Sequence, residues 1–245
     1  MSRIILQGMK SIRNYRNRGF SLVELLVGIA VGALLAGMGI PAIQGALSKG
    51  KQVACSSNMK QIGQGILLYS PENNGRLPSI LCGGTDVNAS WIKQLQPYLG
   101  TNYSRVRVCP ADPLFKTKLL QNDATSYLLT ERVNADSFVD EDGELPPGEV
   151  IFDRHLNIRK PSRAILMFLG NTNKTSRRDD HIHVGLMRSW NGVRLEIWPD
   201  AFGGGARDGS RGSANYLFAD GHVENIAAVA LKQRVERGDD ITVEF

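Results

Sequence analysis

The sequence predicts an α+β chain: one long N-terminal helix, apolar in its first half and amphipathic in its second, packed on an antiparallel β-sheet domain. Leu25 to Leu47 is a run of 23 residues without a charge, in which only Gln44 is clearly polar. Beyond it, Cys55, Met59, Ile62, Ile66 and Tyr69 recur in steps of four and three, the spacing of one helix face. Downstream come short segments rich in β-branched, aromatic and aliphatic residues, separated by turn signals.

The uncharged run is long enough to cross a membrane. At about 1.5 Å per residue it spans a ~30 Å hydrocarbon core. Residues 1–19 carry Arg3, Lys10, Arg13, Arg16 and Arg18 and no acid. The whole chain holds 29 basic and 24 acidic residues, so removing this leader leaves 24 of each. The basic excess is therefore a positive-inside signal that keeps the N-terminus in the cytoplasm. It is not a nucleic-acid footprint, and no nucleic-acid partner is expected. Three segments follow: a basic leader over 1–19, a membrane helix over 20–48, and over 49–245 the helix continuation with a globular domain outside the cytoplasm.

The acid at the head of the run, Glu24, is unusual. A charge at mid-bilayer costs about 2.5–3.5 kcal/mol on insertion scales, less near the interface, and an acid so placed is a functional residue by default. An ordinary signal peptide is cut after its apolar run. Here the candidate junction, Gly19-Phe20, precedes it, so cleavage keeps the helix in the mature protein.

Arg18-Gly19-Phe20-Ser21-Leu22-Val23-Glu24, followed by Pro41, resembles the N-terminus of type IV prepilins and type II secretion pseudopilins. The resemblance implies a pilin-like fold and cleavage after Gly19 by a membrane-embedded prepilin peptidase, which then N-methylates Phe20. It also implies an assembly role for Glu24 and Pro41. Cleavage creates an amine at Phe20 inside an apolar bundle, and Glu24 of a shifted neighbour neutralises it. Breaking such a buried pair typically costs about 3–5 kcal/mol. Pro41, with Gly32, Gly37 and Gly39 nearby, predicts a kink or melted turn near 37–41.

The long helix is expected over 20–69, ended by Pro71, Asn73-Asn74 and Gly75. A short helix is expected over 90–99 and another over 228–237. Candidate strands are 125–131, 164–169, 182–188, 193–198, 214–219 and 222–227. Residues 134–149 and 200–213 read as loops. Asp220-Gly221 between the last two strands is a hairpin signal for a type I′ turn. The segment also resembles the H-x9-DG pattern at the C-terminus of many bacterial prepilin-like proteins. Ser210 stands where that pattern has its first His, so no role of that His carries over. Cys55-x-x-Asn58-x-Lys60-Gln61-Ile62-Gly63, Cys109-Pro110 and Lys160-Pro161-Ser162 extend the resemblance.

Of the three cysteines, Cys55 falls on the buried helix stripe and reads as a small core residue. Cys82 and Cys109 lie in loop-like sequence and are candidates for a disulfide, worth about 3–4 kcal/mol in the chain-entropy model. Spacing alone does not fix the connectivity. There is no CxxC. Asp179-Asp180-His181-Ile182-His183 is the one metal-like cluster, and it lacks a third ligand at a characteristic spacing. No cofactor, no metal and no catalytic residue are expected: nucleophile elbow, P-loop and dinucleotide fingerprints are absent.

The expected function is a structural subunit that assembles through its N-terminal helix into a type IV pilus or secretion-type filament. Its expected partners are a prepilin peptidase, its own or related pilin-like subunits, an inner-membrane assembly platform and membrane lipid. It would be a single-pass inner-membrane protein with a periplasmic or cell-surface domain. The alternative is a surface-binding protein that uses the anchor for export, with Trp91, Trp190 and Trp198 as a stacking face. A membrane-anchored hydrolase using His181 and His183 is a third reading.

Overall fold

The computed structural model describes residues 19–81, 90–121, 124–134, 150–175 and 179–243. Cys82, most of the leader and nearly all of the expected acidic loop lie outside the described residues. The chain forms two compact units, residues 1–44 and 45–245.

Helix α1 runs from Leu22 to Glu72, 51 residues. It is unbroken across 37–41, so the melted turn expected there is not formed. A proline removes one helical hydrogen bond, and its neighbours can keep helical dihedrals around that gap. None of the most apolar window of α1 is buried. After residue 50 the pattern changes. Cys55, Met59, Ile62 and Ile66 are buried, and Tyr69 packs partly buried against the same cluster. The helix ends as its residues dictate: the Asn73 amide donates to the Tyr69 carbonyl at 2.8 Å. Asn74 and Gly75 then take left-handed backbone, φ 56° and 77°.

In the second unit five strands form one sheet: β1 (Tyr127–Thr130), β2 (Ile165–Leu169), β3 (His181–Ile182), β4 (Ser213–Phe218) and β5 (Val223–Ala227). The order is β3-β1-β2-β4-β5. All pairings are antiparallel except β1 with β3. Around the sheet lie α2 (Trp91–Gln94), α3 (Gln96–Leu99), α4 (Tyr103–Val106), α5 (Phe115–Leu119), α6 (Thr172–Thr175), α7 (Trp190–Glu196) and α8 (Ala228–Glu236). Side chains alternate between the two faces of the sheet. Tyr127, Leu129, Leu166 and Leu217 join the cluster of the α1 stripe. Leu128, Ile165, Phe168, Tyr216 and Phe218 join a second cluster with Val193 of α7 and Leu231 of α8. The sheet is thus covered on both faces, and its three central strands are almost wholly buried.

The expected strand 182–188 shrinks to His181–Ile182, followed by a 3-10 turn over Val184–Arg188. The expected strand 193–198 is instead helix α7 and the residues just after it. Val-Arg-Leu-Glu-Ile-Trp alternates like a strand, but the buried apolar side chains are Trp190, Val193 and Ile197, at helical spacing, and Leu195 is exposed. Ser189 caps the start, its hydroxyl accepting from Gly192 N at 3.1 Å. The 90–99 helix divides into α2 and α3, with Pro97 in the first turn of the second.

The β4–β5 hairpin also differs from expectation. Asp220 does not adopt positive φ; Gly221 alone does, at 88°. Gly221 N donates to Phe218 O and Phe218 N to His222 O, each at 2.9 Å. This is a three-residue loop with a left-handed glycine at its end, not the two-residue type I′ turn. The loop lies against α1. A Cβ on Gly63 would stand 2.7 Å from Leu217 Cδ1, and one on Gly221 2.9 Å from Leu67 Cδ1.

Candidate functional site

The site expected to matter is the start of α1. Ser21 is its N-cap: Glu24 N donates to Ser21 Oγ at 3.2 Å, and Ser21 N donates to Glu24 Oε2 at 2.9 Å. This is a reciprocal capping box, Ser-x-x-Glu, which satisfies two of the orphan donors at a helix start. The signal is legible in Ser21-Leu-Val-Glu24, yet Ser21 is a residue that reading the motif for processing alone passes over. The cap fixes where the helix begins, so Gly19 and Phe20 stay outside it. Phe20 is 84% exposed. The Gly19–Phe20 bond is therefore accessible and free of helical hydrogen bonding, as a peptidase requires.

A Cβ added at Gly19 would meet nothing within 4 Å, so the fold does not need glycine there. Glu24 is exposed, and its carboxylate is engaged only by its own helix start among the described residues. Pro41 lies within α1. From Leu22 to Ile43 the large apolar side chains are exposed wherever described. Such a continuous apolar surface requires lipid or other helices to cover it.

Asp180 is a buried hub: Ser90 Oγ donates to one carboxylate oxygen, and His181 Nδ1 lies 2.9 Å from the other. Trp91 Nε1 donates to the Asp180 carbonyl at 2.8 Å. Ser90 bonds the carboxylate and not the imidazole, and His181 Nε2 is buried without a partner among the described residues. The hydroxyl bonds the carboxylate directly with no imidazole between them, so Ser90, His181 and Asp180 are not arranged as a nucleophile triad. The rings of His181 and His183 lie 4.9 Å apart on the side the alternation predicts. A cation already occupies the space beside His183. Lys174 Nζ sits 2.6 Å from Glu196 Oε2 and 2.9 Å from His183 Nδ1. Among the described residues no three His, Cys, Asp or Glu are grouped to hold a metal. Trp91 and Trp190 are buried and Trp198 is partly buried, so they form no stacking face.

Cys109 is a free, buried thiol, and so is Cys55; Cys82, the partner expected for Cys109, lies outside the described residues. Asp220 Oδ1 accepts from His222 N at 3.0 Å and closes the hairpin loop. Two asparagines, Asn58 and Asn215, tie the second half of α1 to the rest of the globular unit. Asn58 Nδ2 donates to Val108 O at 3.1 Å, beside Cys109. Asn215 Nδ2 donates to Gln52 O at 2.8 Å.

Residues 14–40 match the prokaryotic N-terminal methylation motif. The matched segment takes in the end of the leader, the Gly19–Phe20 junction, Glu24 and the first part of α1. It supports a pilin-type subunit processed by a prepilin peptidase, and together with one apolar helix it fits a single-pass membrane-anchored protein. No curated protein and no solved structure matches the chain.

Proposed function

We propose that the chain is a pilin-like or pseudopilin-like structural subunit that assembles through α1 into a type IV pilus or secretion-type filament. A prepilin peptidase cuts between Gly19 and Phe20 and methylates the new amine. The helix over 20–48 holds the precursor in the inner membrane, leader in the cytoplasm and globular domain in the periplasm or at the cell surface. An inner-membrane platform then passes the helix from lipid to a bundle of its own or related subunits. The observation that carries this reading is the exposed Gly19–Phe20 bond directly ahead of an apolar helix surface that none of the described residues covers.

In this reading Glu24 has two successive partners. Alone, the carboxylate accepts from Ser21 N of its own chain. In the bundle it turns to the Phe20 amine of a neighbour, replacing a neutral donor by a charged one at low dielectric. Glu24→Gln separates the two roles, because glutamine also completes a capping box. The variant is expected to be cleaved at the same bond while filaments fall at least tenfold, since losing one partner of a buried pair costs about 3–5 kcal/mol. Electron microscopy and a sheared-filament assay check this. Filaments at the wild-type level would remove Glu24 from assembly.

A further inference from the structure

Cys55 and Cys109 come from distant parts of the sequence and meet in the core. Cys55 lies on the buried stripe of α1, Cys109 three residues after α4, and both are 0% exposed. Both belong to one buried cluster, and the Asn58–Val108 hydrogen bond sets the loop of Cys109 against the turn of α1 next to Cys55. Their surroundings are fixed from three sides. Tyr127 Oη lies 3.5 Å from Cys55 Sγ. Ala111 N donates to Cys109 Sγ at 3.4 Å. The Asn58 amide, one helical turn past Cys55, holds the carbonyl of Val108 next to Cys109. Neither sulfur has another cysteine near it among the described residues.

We infer that Cys55 and Cys109 form a disulfide that staples the second half of α1 to the globular domain. Closure brings the two sulfurs to the ~2.05 Å of an S–S bond. The hydrogen bond from Cys55 holds the Cys109 thiol below its usual value, while burial pushes Cys55 well above it. In the open chain neither thiol has these surroundings, so either sulfur can attack first, Cys109 for example. Its thiolate displaces one sulfur of an oxidant disulfide and forms a mixed disulfide. The Cys55 thiol then loses its proton and attacks the Cys109 sulfur, releasing the second oxidant sulfur. The pair gives up two electrons and two protons, and the oxidant leaves as two thiols. The oxidant is a thiol–disulfide oxidoreductase or a small disulfide. It acts before the core closes, since both sulfurs are sealed afterwards. In the cell the bond rests on the export proposed above, because disulfides persist outside the cytoplasm.

The staple joins a residue of α1 to a loop 54 positions later. It ties the helix that would bear filament load to the domain it carries, so a pull on α1 cannot peel it off the sheet while the bond is intact.

The test does not depend on export. The full-length chain is refolded in detergent with reduced and oxidised glutathione, alkylated without reduction, digested and mapped by mass spectrometry. The expected result is a linked pair of peptides holding Cys55 and Cys109, with Cys82 alkylated. Adding reductant should lower the Tm of the wild type by about 5–15 °C and leave Cys55→Ala and Cys109→Ala unmoved. Three alkylated cysteines, or a linkage through Cys82, would overturn the assignment. A linked pair in a chain whose leader is never cut would leave the disulfide standing and sink the pilin reading instead.

Discussion

Asp208 shows how one exposed carboxylate organises a loop. Its Oδ1 accepts from Ser210 Oγ at 2.7 Å and from Ser210 N at 3.2 Å, and its Oδ2 pairs with Lys232 of α8 at 2.9 Å. Its carbonyl takes the Trp190 indole N–H at 2.6 Å. Ser210, which stands where the H-x9-DG pattern has histidine, is thus a turn residue here. The Ser210 hydroxyl first, then the Lys232 ammonium, hold the Asp208 carboxyl far below its ordinary value of 3.8. A depressed carboxylate contributes stability that is fully present above the unfolded value and is lost as pH falls through the folded one. Wild type should therefore lose stability relative to Asp208→Asn as pH drops from about 5 towards 2, the two converging at the acid end. Thermal unfolding across that range checks it; parallel curves would mean that the interactions contribute nothing. Added salt should shrink the difference, because the pair with Lys232 is exposed.

At the scale of the element, α1 uses its glycines in two ways. Gly50 has nothing within 4 Å of an added Cβ, whereas a Cβ on Gly63 would press on Leu217. Leu217 is 0% exposed and has no room to retreat. Replacing a helical glycine by alanine gains about 1 kcal/mol of propensity. Overpacking a core costs about 1–3 kcal/mol. Gly50→Ala should then raise stability by about 0.5–1 kcal/mol, and Gly63→Ala should lower it by about 1 kcal/mol. Denaturant unfolding of the two variants decides, and shifts of the same sign would contradict this packing. The stripe that lays α1 on the sheet was readable because a 3.6-residue period is carried by the chain itself. Helix α7 was not, because Val193 to Trp198 alternates and only the cap at Ser189 and the burial of Trp190, Val193 and Ile197 choose helix. β3 is short because it pairs with β1 alone at the sheet edge before the chain turns away. Nothing local in the sequence encodes that Cys55 faces Cys109; that follows from where the loop after α4 meets the helix. The methylation motif at the N-terminus, by contrast, is carried by residue order alone and was readable there; the Ser-x-x-Glu cap sits in the same residues and shows itself only once helix spacing is tested against them.

At the scale of the whole molecule the chain divides its labour by charge and burial. The leader carries all of the net charge of +5. From Leu25 to Leu47 α1 carries no charge, and its large apolar side chains are exposed wherever described, while the unit from residue 45 onward encloses two hydrophobic clusters on either face of one sheet. The capping box starts α1 at Leu22, so the Gly19–Phe20 bond stays outside the helix. The central claim is that this bond is cut and the apolar helix is kept. The most direct test is the mature N-terminus, determined by mass spectrometry after expressing the full chain with a prepilin peptidase, beside a Gly19→Ala control. The control should fold as the wild type does, because its added methyl meets nothing. The account predicts a methylated Phe20 terminus in the wild type and its loss or strong reduction in the control. An intact leader, or a cut beyond the apolar run, would contradict it.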